Sequence, residues 1–136
     1  MDRRFLIGGS ALAMVFGGLA PVAQASESSS AEPAVYEMTM IGFPVIRDGR
    51  LLNYVFVNMK LYLAKGTRPE VVQAKEAQLR DSLVRTGHRT PFILPDNNRE
   101  LNTRALTASV MSHAATLYGR GIVTRVEVMR QMSRNR

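Results

Sequence analysis

Apolar and polar residues alternate along two long stretches of the chain and follow a helical period along two others. The clearest alternation places Val55, Val57, Met59, Leu61 and Leu63 on one side and Tyr54, Phe56, Asn58, Lys60 and Tyr62 on the other. A period of two predicts a strand, with the first set as a core face and the second as a half-exposed face. Upstream, Tyr36, Met38 and Met40 alternate with Glu37 and Thr39. They predict a strand that starts near Val35 and continues, kinked at Gly42 and Pro44, to Ile46. Arg47-Asp48-Gly49-Arg50 joins the two as a tight turn, because Asp-Gly tolerates the positive φ that a two-residue hairpin needs.

Thr67-Arg68-Pro69-Glu70 has capping-box spacing with Pro in the first turn, so a helix is expected to start there. Val72, Leu79 and Leu83 form its apolar side, and Gly87 is read as its stop. His88 to Asn98 carries Pro91 and Pro95 around Phe92-Ile93-Leu94, which predicts a loop whose apolar plug sits on the core edge. Asn98 is read as the cap of a second helix, from about Arg99 to Tyr118, ended by Gly119. Leu101, Ala105, Ala108 and Ala115 make one stripe of it, beside Leu106, Val110, Ala114 and Leu117. Behind Gly121, Ile122, Thr124, Val126 and Val128 alternate with Val123, Arg125, Glu127 and Met129, predicting a returning strand. A hairpin, two helices and a returning strand make an α+β domain: a small sheet with helices packed on one face.

The first 25 residues follow a different pattern. Asp2-Arg3-Arg4 is a short basic start, Phe5 to Ala20 are uncharged, and Ala23-Gln24-Ala25 has the small-x-small form cut by a signal peptidase. Residues 1–25 are therefore read as an export signal cleaved between Ala25 and Ser26, and the location as periplasmic. The alternative is an uncleaved signal that anchors the chain in the inner membrane, with Arg3 and Arg4 on the cytoplasmic side. Arg3-Arg4-Phe5-Leu6 also partly matches the twin-arginine export pattern, so either export route is compatible with the segment. Residues 26–34, rich in Ser and Glu, read as a flexible leader, 35–132 as one domain, and 133–136 as a basic tail.

The 136-residue chain has 18 Lys+Arg against 11 Asp+Glu, a formal charge of +7. Losing Asp2, Arg3 and Arg4 with the signal lowers it by one, to +6, so the remaining domain is basic. Absence of Cys excludes thiol catalysis, thiolate-held metals and an acylated lipoprotein. His88 and His113 have no third partner at ligand spacing and are read as capping or surface residues. No Gly-x-Ser-x-Gly occurs, and Glu76 and Asp81, five apart on a helix, read as separate solvated charges. These residues point to a non-enzymatic protein with no catalytic set, no cofactor and no metal.

Two surfaces remain as candidates for contact. One is the mixed aromatic and polar side of the long strand: Tyr54, Phe56, Lys60 and Tyr62. The other is the arginine-rich end, where Arg120, Arg125, Arg130, Arg134 and Arg136 face Glu127 alone. Export argues against nucleic acid as a partner. An anionic envelope surface, whether wall polymer, lipid headgroup or acidic protein, is the alternative partner, held by Arg125 and Arg130.

From Tyr36 to Gln131 the order of these elements resembles the periplasmic domain of the flagellar basal-body-associated FliL family. The resemblance rests on the Arg47–Arg50 turn, the Tyr54–Leu63 strand, the helix after Pro69-Glu70, the second helix with Leu101, and the closing Ile122–Gln131 strand. It implies a non-enzymatic domain related in shape to stomatin-type domains, which self-associates beside flagellar motor components and influences motility. Members of that family usually carry a durable transmembrane anchor, where this chain opens with what reads as a removable signal.

Overall fold

Strand β3 (Arg50–Leu63) is the longest element and the axis of the fold. A computed structural model describes residues 32–135 of the chain. The expected signal, its cleavage site at Ala23, Ala25 and Ser26, the first part of the leader and Arg136 lie outside the described residues. The alternation in β3 sorts as its pattern requires: Val55, Val57, Met59, Leu61 and Leu63 are all fully buried. On one edge, β3 pairs antiparallel with β1 (Val35–Glu37) and β2 (Ile41–Arg47); on the other it pairs antiparallel with β6 (Val123–Ser133). The fold is α+β, with the helices on the core face of this sheet.

The expected first strand is interrupted at Met38–Met40, not kinked at Gly42 and Pro44. Val35 pairs with Tyr62 and Ile41 with Val57, so one extra residue is absorbed at the break. Glu76 explains the place: its carboxylate accepts from the Thr39 amide at 3.1 Å and from the Tyr36 hydroxyl, so Thr39 is drawn off the ladder toward the helices. Gly42 stays in the strand and Pro44 is tolerated because β2 is an edge strand. Asp48 and Gly49 both have positive φ, 50° and 72°, so the turn between β2 and β3 takes the conformation expected of a two-residue hairpin.

The single helix expected after Thr67 is two: α1 (Pro69–Gln73) and α2 (Glu76–Arg89). The capping box does not form; Arg68 is the N-cap and no side chain caps it. Val72, Leu79 and Leu83 are fully buried, as their spacing predicts. Gly87 lies inside α2 instead of ending it. A Cβ there would come within 2.8 Å of the Phe43 ring, so glycine serves close helix-to-strand packing. The segment expected as a loop contains a small hairpin, β4 (Ile93–Leu94) with β5 (Asn97–Leu101). Its plug does reach the core: Phe92 meets Phe43 edge to face at 5.6 Å between centroids.

Helix α3 (Thr103–Tyr118) starts four residues later than expected. Asn102, not Asn98, caps it, accepting from the Ala105 amide at 3.1 Å, because Asn97–Leu101 are taken into β5. Gly119 ends it with φ 100°, as expected. Leu106, Val110 and Ala114 are the buried stripe, while Ala108 is exposed. In β6 the predicted alternation is shifted by register irregularities opposite Asn58/Met59 and Tyr62/Leu63, so Val123 is buried and Thr124 exposed. The tail is held at least to Asn135, since the Arg134 amide bonds the Tyr54 carbonyl at 2.9 Å. The buried cluster draws on residues from Met38 to Val123, which gives the described body a full hydrophobic core of its own.

Candidate functional site

Antiparallel pairing of β3 with β6 brings together the two surfaces that the sequence offered separately. Opposite the core face, the sheet presents rows of side chains that can be read from the register. Val35, Tyr62 and Arg125 form one row; Glu37, Lys60 and Glu127 the next. Asn58 lies opposite Arg130, Phe56 is flanked by Gly42 and Met132, and Tyr54 lies opposite Pro44. Among the described residues no helix covers this face. Tyr54, Phe56, Lys60, Tyr62, Arg125 and Arg130 therefore share it, while Arg120 does not: it is exposed in the turn that leads to β6.

The charges on the face are engaged with one another. The Arg125 guanidinium sits 4.0 Å above the Tyr62 ring and 3.6 Å from the Glu127 carboxylate. The Tyr62 hydroxyl donates to the same carboxylate at 2.5 Å. A cation over an exposed aromatic face is worth roughly 0.5–1 kcal/mol, enough to orient the side chain but not to fix it. Lys60 sits between Glu37 and Glu127 in the register, so acid and base alternate across the strands. Farther along, the face turns apolar. Phe56, about a third exposed, lies on Gly42, where a Cβ would be 3.0 Å from its ring, and Met132 is its other neighbour. The Asn58 side-chain oxygen is buried without a hydrogen-bond partner among the described residues.

The titratable groups elsewhere are structural. Glu76 is not a solvated charge. Burial would raise its carboxyl, but the bonds from Tyr36 and Thr39, together with Arg80, outweigh burial and hold it below the ordinary carboxylate range. Burial, then the bond to Glu76, pushes the Tyr36 phenol up to about 12; burial and the Glu76 charge do the same to Tyr118, whose hydroxyl donates to the Val72 carbonyl. His88 Nδ1 lies 2.8 Å from the Val84 carbonyl oxygen, and His113 Nε2 lies 2.9 Å from the Thr86 hydroxyl. Asp81 pairs with Arg85 on the outer side of α2. No group of three His, Asp or Glu side chains able to hold a metal ion occurs among the described residues, and no helix there is long and apolar enough to cross a membrane.

Asn53 is the polar residue that the alternation passed over. It occupies a core-side position one step before Val55 and is 5% exposed. Its amide nitrogen donates to the Asn98 carbonyl at 2.8 Å and to Ser133 Oγ at 2.6 Å. Its oxygen accepts from the Tyr54 amide at 2.8 Å and the Asn135 amide at 3.1 Å. A polar residue at core parity in an otherwise apolar row was the available signal. A comparison with models of known protein families finds no match to the chain, and a comparison with curated proteins finds none either.

Proposed function

We propose that this chain is an exported, non-enzymatic interaction domain of the FliL type, whose uncovered sheet face meets a protein partner: a flagellar motor component or another copy of the chain. The observation that carries the reading is the convergence of Tyr54, Phe56, Lys60, Tyr62, Arg125 and Arg130 on one uncovered face. Its composition suits a folded partner better than a bare polyanion. Arg125 is already engaged by Tyr62 and Glu127, the acids and bases alternate, and an aromatic and methionine patch adjoins them. Such a mixture of Tyr, Phe, Met and Arg is the composition enriched at protein interfaces.

The chain has no cysteine, so a single introduced thiol is unique. Phe56→Cys and Lys60→Cys, carrying a short photocrosslinker, are expected to capture a motor component or a second copy in cells. Arg85→Cys, on the outer side of α2, is expected to capture neither, and deletion of the gene is expected to impair motility. Equal capture from all three positions, together with unchanged motility, refutes the reading.

A further inference from the structure

The first residues of β3, at the tip of the β2–β3 hairpin, include the most exposed large apolar side chain among the described residues, Leu51 at 53%, followed directly by Leu52 at 40%. Leu51 pairs with Ile46, and Leu52 directly precedes the core-side Asn53, so both leucines present to the outer side of the sheet. Leu52 has no register partner: Val45 pairs with Asn53 and Ile46 with Leu51, which makes it the extra residue of a bulge. Bulges bend and over-twist a strand end, turning the tip out of the sheet plane. The tip is also firmly built. Asp48 and Gly49 form the tight turn, and Asn135 Nδ2 donates to the Leu52 carbonyl at 3.1 Å.

Arginines surround these leucines. Arg50 is exposed beside them in the chain, and Arg134 lines the same shallow depression as Leu51 and Leu52. Arg99 is exposed on β5, which Asn53 ties to this end through the Asn98 carbonyl. Arg47 is committed elsewhere: its guanidinium donates to Asn98 Oδ1 at 2.5 Å and to the carbonyls of Leu94 and Asn97. Asp48 is the one acid in the turn.

We infer that this tip is a wedge for an anionic bilayer surface, with Leu51 and Leu52 entering the acyl boundary while Arg50 and Arg134 take the headgroup phosphates. Two adjacent exposed leucines at a hairpin end form a shallow apolar step suited to the acyl boundary, and the exposed arginines that flank them complement an anionic surface. This site goes beyond the sheet-face reading and uses none of the residues tested there, so either can fail without the other.

The test uses the fragment Ser26–Arg136, whose body carries its own core, with circular dichroism confirming the fold of each variant. Wild type is expected to co-sediment with mixed phosphatidylglycerol–phosphatidylcholine vesicles in a salt-sensitive manner, and far less with phosphatidylcholine alone. Arg50→Gln and Arg134→Gln are each expected to weaken binding about fivefold, and Leu51→Ala with Leu52→Ala by a similar factor of about five per leucine. Asp48→Asn keeps the turn and is expected to strengthen binding. Since the chain has no tryptophan, Leu51→Trp reports insertion directly: its emission is expected to shift to the blue on anionic vesicles, while Met129→Trp on β6 does not shift. Absence of binding to anionic vesicles at low salt, equal binding to neutral ones, or equal shifts at the two tryptophans overturns the inference. Capture of an envelope protein through the leucines without vesicle binding overturns it too, and assigns the tip to a protein partner.

Discussion

Removing the Asn53 side chain tests whether one buried amide holds together the end of the fold where the hairpin tip, β5 and the last residues of the chain meet. Asn53→Ala deletes two donated and two accepted hydrogen bonds. Each is worth about 1 kcal/mol net, and a buried group left without a partner costs more. Asn98 and Asn135 are exposed and regain water, so most of the loss falls on the half-buried Tyr54 amide and Ser133 hydroxyl. The sum is about 2–3 kcal/mol. Urea unfolding of a domain this size has a slope near the low end of the usual range, about 1–1.5 kcal/mol per molar, so the midpoint is expected to drop by about 2 M. Hydrogen exchange supplies a local readout: the Asn135 and Tyr54 amides lose protection first, ahead of the β3 interior. Asn53→Asp sharpens the case, because its carboxylate faces the Asn98 carbonyl with no donor. That variant is expected to gain stability on mild acidification, as protonation restores one donor, whereas wild type does not. A midpoint shift below about 0.5 M for Asn53→Ala, with Asn135 still protected, refutes the reasoning.

Four further outcomes are expected. Gly87→Ala gains up to about 1 kcal/mol of helix propensity but drives its Cβ to 2.8 Å from the buried Phe43 ring, an overpacking cost of about 1–3 kcal/mol; calorimetry should therefore show a lower Tm, where an exposed helical glycine would show a higher one. Glu76 has a lowered pKa, so its stabilising bonds are present above the ordinary carboxylate value of 4.5 and are lost as pH falls through the depressed folded value; the acid limb of a stability–pH curve should flatten in Glu76→Gln. Tyr36 and Tyr118 have raised values, so their contribution is present below pH 10 and is lost as pH rises toward about 12, and Tyr36→Phe should shorten that alkaline decline. Asn102→Ala removes the cap of α3 and should cost about 1 kcal/mol by urea titration, while Asn98→Ala leaves α3 capped.

The parts of the fold readable in the sequence are those decided locally. The β3 alternation needs only a burying face, the Asp48-Gly49 turn only positive φ, and the Gly119 stop only a residue free of Cβ. What was missed was decided across the chain. Gly87 reads as a helix end until Phe43, distant in sequence, is placed against it. Asn98 reads as the cap of the second helix until Ile93 pairs with Leu101 and takes Asn97–Leu101 into a strand, which leaves the cap to Asn102. Glu76 reads as a surface charge until the break at Met38–Met40 brings Tyr36 and Thr39 to it. The candidate face follows the same division: each half was visible as a pattern, but their union depends on the β3–β6 register, and the irregularities in β6 make its outward residues unreadable from alternation alone.

The two proposed contacts constrain each other through the length of β3. The chain comes into the described body near Ala34, whose carbonyl accepts from the Leu63 amide, at the far end of β3 from Arg50. Fourteen residues at about 3.3 Å each put the hairpin tip about 45 Å from that point. If the N-terminal segment is cut at Ser26, the tip alone holds the body on a membrane, and two exposed leucines with two exposed arginines give only marginal, reversible attachment, comparable in kind to a single acyl chain. If the segment stays in the bilayer, residues 26–34, read as a flexible leader, reach at most about 30 Å, so the tip meets the same membrane only when β3 is tilted toward its surface, and tethering then raises the tip's effective concentration. Sequencing the N-terminus of soluble and membrane fractions separates the cases. A Ser26 start confined to the soluble pool at physiological salt, and moved to the membrane pool when salt is lowered, is the expected outcome for the released form. A Ser26 start that stays soluble at every salt concentration refutes the tip as a membrane contact in the cell.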